Sequence, residues 1–230
     1  MHKTSAVHSA AVVHRSFRDL GCARNSVRLG ATLRAMWSLG VAVTVGAVAG
    51  VVLRVVLRRW EPRFLPALCV LGSGWAWWRF GESPHAAPWG LITWCVLTWW
   101  FAALIAVDLR CRRLPNVLTV PGAVLVPAVL VATGSAQALL GGGLLFGIYL
   151  VVHLGAPRAF GAGDVKLAWS VGSIACLGGT AGWTVAALAA PVATAVVGSI
   201  AAVCGYPGAR IAHGPSMCAA TLLAVAAATT

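Results

Sequence analysis

From Met36 onward the chain is a succession of apolar runs separated by short polar links, and few folds accommodate that alternation. Eight runs are read, at about 36–57, 64–80, 86–107, 117–133, 136–156, 167–188, 189–205 and 216–230. A helix needs about 20 apolar residues to span a membrane, so the second, fourth and last two runs are short. The pair around Pro191 reads as two spans or as one bent one. The expected fold is all-α: a polytopic membrane helix bundle of about 7–8 transmembrane helices, forming one domain over residues 36–230. Composition excludes the soluble alternative. Hydrophobic residues make up 60% of the chain and charged residues only 10%, against about 25% charged in a soluble domain. The 26 glycines, as in "LGGGLLFG" at 140–147, suit helices that pack closely inside a membrane.

The net charge of +12 does not point to nucleic acid. The arginines stand at the ends of apolar runs, where orientation in a membrane places them, rather than in amphipathic or aromatic-rich polar segments. With eight spans, the links after the first, third, fifth and seventh hold Arg58, Arg59 and Arg63; Arg110, Arg112 and Arg113; Arg158 and Lys166; and Arg210. The opposite links hold only Arg79. The basic face is therefore assigned to the cytoplasm. The seven cysteines include no CxxC pair. They read as reduced, small apolar residues, and neither a metal nor an organic cofactor is expected.

Residues 1–35 form a basic N-terminal extension, with six Lys or Arg residues against the single acid Asp19. By parity this extension would lie outside the cell, against the charge bias. The expectation is that the working protein starts at Met36, which mass spectrometry of the purified protein's N-terminus would test.

From residue 36 on there are four acids: Glu61, Glu82, Asp108 and Asp164. Glu61 and Glu82 read as solvated link charges. Asp108 closes the apolar run "WWFAALIAVD", and Asp164 precedes another in "GAGDVKLAWSVGSIA". Ionisable residues at such depth are functional candidates. Taken singly, each aspartate reads equally well as a helix-end charge paired with Arg110, Arg112 or Lys166. Taken together, both fall on the basic face. Two carboxyls held within a few ångströms cannot both ionise easily and share a proton. One then acts as base on a water and the other as acid toward a peptide carbonyl.

The contexts of the two aspartates carry a resemblance. "DLRCRRLPN", Asp108 to Asn116, resembles the first aspartate motif of the type IV prepilin peptidases. "GAGDVKL", Gly161 to Leu167, resembles their second, Gly-x-Gly-Asp-x-Lys-Leu, at every fixed position. "GVVLRVVLRR" at 50–59 and "IAHGPSMCA" at 211–219 are similar to two further family segments. Here Arg54 replaces an asparagine, and His213 replaces the phenylalanine of a Pro-Phe-Gly-Pro turn. The resemblance implies an intramembrane-type aspartic endopeptidase of the bacterial inner membrane, with its active site facing the cytoplasm. Asp108 and Asp164 would be catalytic. Gly161 and Gly163 would let a substrate backbone approach, Lys166 would tune the carboxylates, hold a carbonyl or serve as an interfacial anchor, and Pro115 and Asn116 would set the turn into the next span. The implied substrates are type IV prepilins, Flp-type prepilins or type II secretion pseudopilins, each with a basic leader, a glycine before the cut and an apolar helix after it. The zinc-binding insertion of the long, methylating members is missing, since Arg63 runs almost directly into the next apolar stretch, and methylation is not assigned. The competing readings are a small transporter or channel using the aspartates as a proton or cation relay, and a non-catalytic assembly subunit.

Overall fold

A computed structural model describes residues 32–33, 35–60, 62–80, 88–157, 161–206 and 208–228. The helices are α1 (Ala35–Val56), α2 (Leu65–Phe80), α3 (Pro88–Cys111), α4 (Asn116–Ala132), α5 (Gln137–Gly155), α6 (Ala162–Ala175), α7 (Gly179–Val203) and α8 (Gly214–Ala228). Short 3-10 turns lie at Arg58–Trp60 and Cys176–Gly178. Among the described residues there is no strand. The fold is an all-α bundle of membrane type. Almost all of the basic extension lies outside the described residues, as do Glu61, Glu82 and Arg158.

Four helical stretches are long and apolar enough, by length and composition, to cross a membrane: Ala35–Val56, Gly90–Cys111, Gln137–Gly155 and Ala162–Val203. The last takes in α6, the 3-10 turn and α7. The remaining helices α2, α4 and α8 have 16, 17 and 15 residues. Length alone thus identifies fewer spans than the apolar runs do. Their exposed sides are apolar, as with Val48, Val52 and Val55 on α1, Val124 and Leu125 on α4 and Leu140, Leu144 and Val151 on α5. Contiguous apolar surface of that kind fits lipid and not water.

The division of the 167–205 region differs from the sequence reading. The helix continues through Pro191, which lies inside the 25-residue α7. The break comes earlier, at Cys176–Gly178, where Gly179 takes φ +65°. Proline removes one N–H but is tolerated in a membrane helix whose neighbours satisfy the freed carbonyl. A left-handed backbone, by contrast, redirects the chain and favours glycine.

Neighbouring helices run antiparallel. Gly46 of α1 lies against Cys69 and Ser73, and Gly50 against Pro66. The Trp99 indole N–H on α3 donates to Ser73 of α2 at 2.8 Å, while Trp75 meets Trp94 edge-on at 6.1 Å. The Trp100 indole N–H donates to the Leu118 carbonyl of α4 at 3.0 Å. Gly182 of α7 faces the Ala224 backbone of α8. The C-terminal ends of α1, α3, α5 and α7 therefore share one end of the bundle with the starts of α2, α4, α6 and α8. Arg58, Arg59, Arg63, Arg110, Arg112, Arg113, Lys166 and Arg210 all belong to that end by their positions in the chain.

Helix α6 is the centre of the bundle and packs against α4, α5, α7 and α8. Nine of its 14 residues are buried, among them Leu167, Ala168, Ser170, Gly172 and Ser173. Its small residues let α5 approach. A methyl group on Gly172 would stand 2.6 Å from the Gly141 carbonyl oxygen and 2.8 Å from Leu145 Cβ. Backbone cannot move aside as a flexible side chain does, so Gly172→Val is expected to destabilise the bundle by about 1–3 kcal/mol. Gly147→Val, on an open face of α5, is expected to change little. Thermal melting of both variants in detergent checks this.

Candidate functional site

The two aspartates reach the same place from opposite chain directions. Asp108 sits one turn before the end of α3, and its backbone carbonyl accepts from the Arg112 N–H at 2.7 Å, closing the helix. Arg112 has φ +50°, a left-handed conformation that turns the chain out of α3 and costs a non-glycine residue about 1–2 kcal/mol. Pro115 then caps α4 with an extended backbone (φ −70°, ψ 142°), and Asn116 is the first helical residue. On the other side, Gly161 caps α6, and Asp164 lies in the first helical turn rather than ahead of the helix.

Each carboxylate accepts a backbone N–H at the start of a helix. The Gly161 N–H donates to Asp164 Oδ2 at 3.1 Å, the acid half of a capping box. The Gly214 N–H donates to Asp108 Oδ2 at 2.9 Å, from the first residue of α8. The first N–H groups of a helix have no partner within it, and the helix dipole gives that end partial positive charge. Both carboxyl groups are thus held by helix starts. Among the described residues no ion pair with an arginine or lysine holds either aspartate, so the charge-pairing alternative does not describe them.

Asp108 is buried, with 4% of its surface exposed, whereas Asp164 is half-buried. The two carboxylates lie within electrostatic reach of one another. Both also act on Cys218, a fully buried thiol one turn along α8 from Gly214. Asp164 in turn lies within reach of Tyr149 and His153 on α5. The site is therefore built from α3, α5, α6 and α8, at the basic end of the bundle.

The supporting residues join the two motifs. The Lys166 ammonium donates to Asn116 Oδ1 at 2.7 Å, tying the first turns of α6 and α4 together. Gly163 is pressed against the link from α3 to α4, where a methyl group would stand 2.8 Å from Leu114 Cβ and 3.2 Å from its carbonyl oxygen. The packing reason for a glycine here is helix contact, and Gly161 is the one that leaves open surface. A methyl on Gly161 would meet only its own helix, with Asp164 Oδ2 at 3.2 Å.

Two residues near the aspartates were not singled out from the sequence as site residues. Gly214 leaves no room for a side chain, since a methyl would stand 2.8 Å from Asp108 Oδ2. His213, the residue before it, is buried between Tyr149 and Thr194, at 2.9 Å from the phenol oxygen and 2.7 Å from the hydroxyl. Burial lowers the His213 pKa to about 4, so the ring is neutral near pH 7. The "HGP" segment was the available signal, but only its contact with Asp108 across 106 residues shows what it does.

Residues 95–206 match the type IV leader peptidase family. The all-α membrane-type fold and this match together support a helical membrane peptidase. The segment from within α3 to just past the end of α7 belongs to the type IV leader peptidase family. Comparison with curated proteins and with solved structures returned no match.

Gly163→Ala is expected to wedge α6 from the α3–α4 link and destabilise the protein by about 1–3 kcal/mol. Gly161→Ala should cost less, because its methyl faces open surface apart from one carboxylate oxygen. Unfolding of both variants in the same detergent provides the comparison.

Proposed function

We propose that the protein is an aspartic endopeptidase that removes the leader of type IV prepilin-like proteins at the cytoplasmic face of the bacterial inner membrane. The observation that carries this reading is the convergence of Asp108 and Asp164, from separate helices, at the basic end of an otherwise apolar bundle.

The chemistry follows from two neighbouring carboxyls of unlike burial. Like charges held close together favour a state with one proton between them. The ionised carboxylate takes a proton from water while the protonated one hydrogen-bonds to the scissile carbonyl and donates to it. Water oxygen bonds to the carbonyl carbon, giving a tetrahedral intermediate. Its collapse breaks the C–N bond, and a proton passes to the leaving amine. Gly161 leaves space beside Asp164 for an extended backbone. The Lys166–Asn116 bond holds the two motifs at a fixed spacing, and Pro115 fixes the entry into α4. The water is the nucleophile, so the scheme uses no metal or organic cofactor.

The substrate follows from the position of the site. An apolar helix embedded in the bilayer, with its basic leader on the cytoplasmic side, would present its cleavage point at the level of the two aspartates. Prepilins and pseudopilins have that form.

Asp108→Asn and Asp164→Asn each keep side-chain shape and remove an ionisable group. Each is expected to lower processing of a co-expressed prepilin by at least about a hundredfold, the lower range for removing an acid–base group. Both proteins should still accumulate in the membrane. Loss of the leader is read as a gel shift. Full processing by either variant would exclude the two-carboxyl mechanism and favour a transporter or an assembly subunit.

A further inference from the structure

The loop between α7 and α8 ends in a largely buried hydrogen-bond chain that the hydrolytic scheme does not use. The Thr194 hydroxyl, on α7, donates to the Ala190 carbonyl at 3.1 Å. It has one hydrogen, so toward His213 Nδ1, 2.7 Å away, it acts as acceptor. Nδ1 therefore carries the proton. The ring is neutral, which leaves Nε2 bare, and the Tyr149 phenol O–H donates to it at 2.9 Å. The order is Tyr149 to His213 to Thr194 to Ala190, and every bond has a donor and an acceptor.

This chain joins three helices at one residue. Tyr149 is on α5, Thr194 is on α7, and His213 immediately precedes α8. The His213 carbonyl accepts the first helical bond of α8, from the Met217 N–H at 3.1 Å. The next residue, Gly214, supplies the N–H that holds Asp108. The side chain of His213 thus fixes the peptide whose amide orients one of the two carboxylates.

We propose that His213, clamped by Tyr149 and Thr194, is a positioning residue for Asp108 and acts through the Gly214 amide. The inference rests on the reading of Asp108 as a catalytic carboxylate. It concerns a segment beyond the matched residues 95–206.

Two measurements test it, and the first needs no activity. In full-length protein labelled at histidine and glycine in detergent micelles, nitrogen NMR should find His213 as the Nδ1–H tautomer. The Gly214 amide proton should move upfield in His213→Phe, which keeps a ring but removes both hydrogen bonds. An Nε2–H tautomer, or a Gly214 amide unmoved by the substitution, would overturn the proposal.

The second measurement follows kinetics on a preprotein with a basic leader, a glycine at the cut, an apolar helix after it and a fluorescent tag on the leader. His213→Phe should lower kcat about tenfold, the rate equivalent of one hydrogen bond, with KM within about twofold. Thr194→Val, a milder change that keeps side-chain volume, should lower kcat in the same direction and serves if His213→Phe does not fold. Tyr149→Phe combined with His213→Phe should lose no more than His213→Phe alone, because both break one chain. Additive losses, or a change in KM alone, would refute the positioning role. Failure of the wild-type protein to cleave the preprotein would count against the hydrolytic reading, while the NMR result would still decide the His213 geometry.

Discussion

The bond from the Gly214 amide to the Asp108 carboxylate is the contact on which the site depends. It links the end of α3 to the start of α8 across 106 residues, and it satisfies two groups at once. A buried carboxylate without a donor is costly, and so is a helix-start N–H without an acceptor in a water-poor setting. Each resolves the other, and a glycine is the residue that lets them meet. Asp164 repeats the arrangement within its own helix, through Gly161. The site is thus two carboxyl groups, each capped by the start of a helix, with α6 and α8 running in the same direction behind them.

Helix α6 gives this arrangement its rigidity. It is short and mostly buried, and it has neighbours on nearly every side. Gly163 fits it to the α3–α4 link at one end, and Gly172 fits it to α5 two turns further on. Between these tight points its position along the bundle axis has little slack. The depth of Asp164 is set by packing and not by the carboxylate's own contacts. Lys166 adds a polar tie to Asn116 on the same side. The two sequence motifs therefore meet through a lysine, a glycine and a leucine as well as through their acids.

Much of this was readable from the chain, and for a physical reason. Apolar runs must be helices in lipid, so α1 to α5 fall close to where the hydropathy puts them. Acids are so rare that Asp108 and Asp164 stand out, and the alternation of charged links places them at one end. The remainder was hidden because it depends on tertiary contact. The flanking glycines make "GAGD" read as a link, although the helix already begins at Ala162. Pro191 is the loudest breaker in its region, yet the chain turns at the quieter Gly178–Gly179 pair, where the backbone takes a left-handed angle. The basic residues near each aspartate suggested ion pairs, whereas the observed donors are peptide amides, which have no side-chain signal. His213 looked like a departure from a turn motif, and its two neighbours are 19 and 64 residues away.

The long separation between Asp108 and Gly214 has a consequence for biosynthesis. A chain emerging from the ribosome delivers α3 to the bilayer well before α8 exists. Until residues 213 and 214 have been made, the Asp108 carboxylate lacks its amide, and Tyr149 has no imidazole to meet. The Asp108–Gly214 contact therefore forms only after α4 to α7 have been made, and nascent chains halted before His213 hold both acids without the amide that orients one of them.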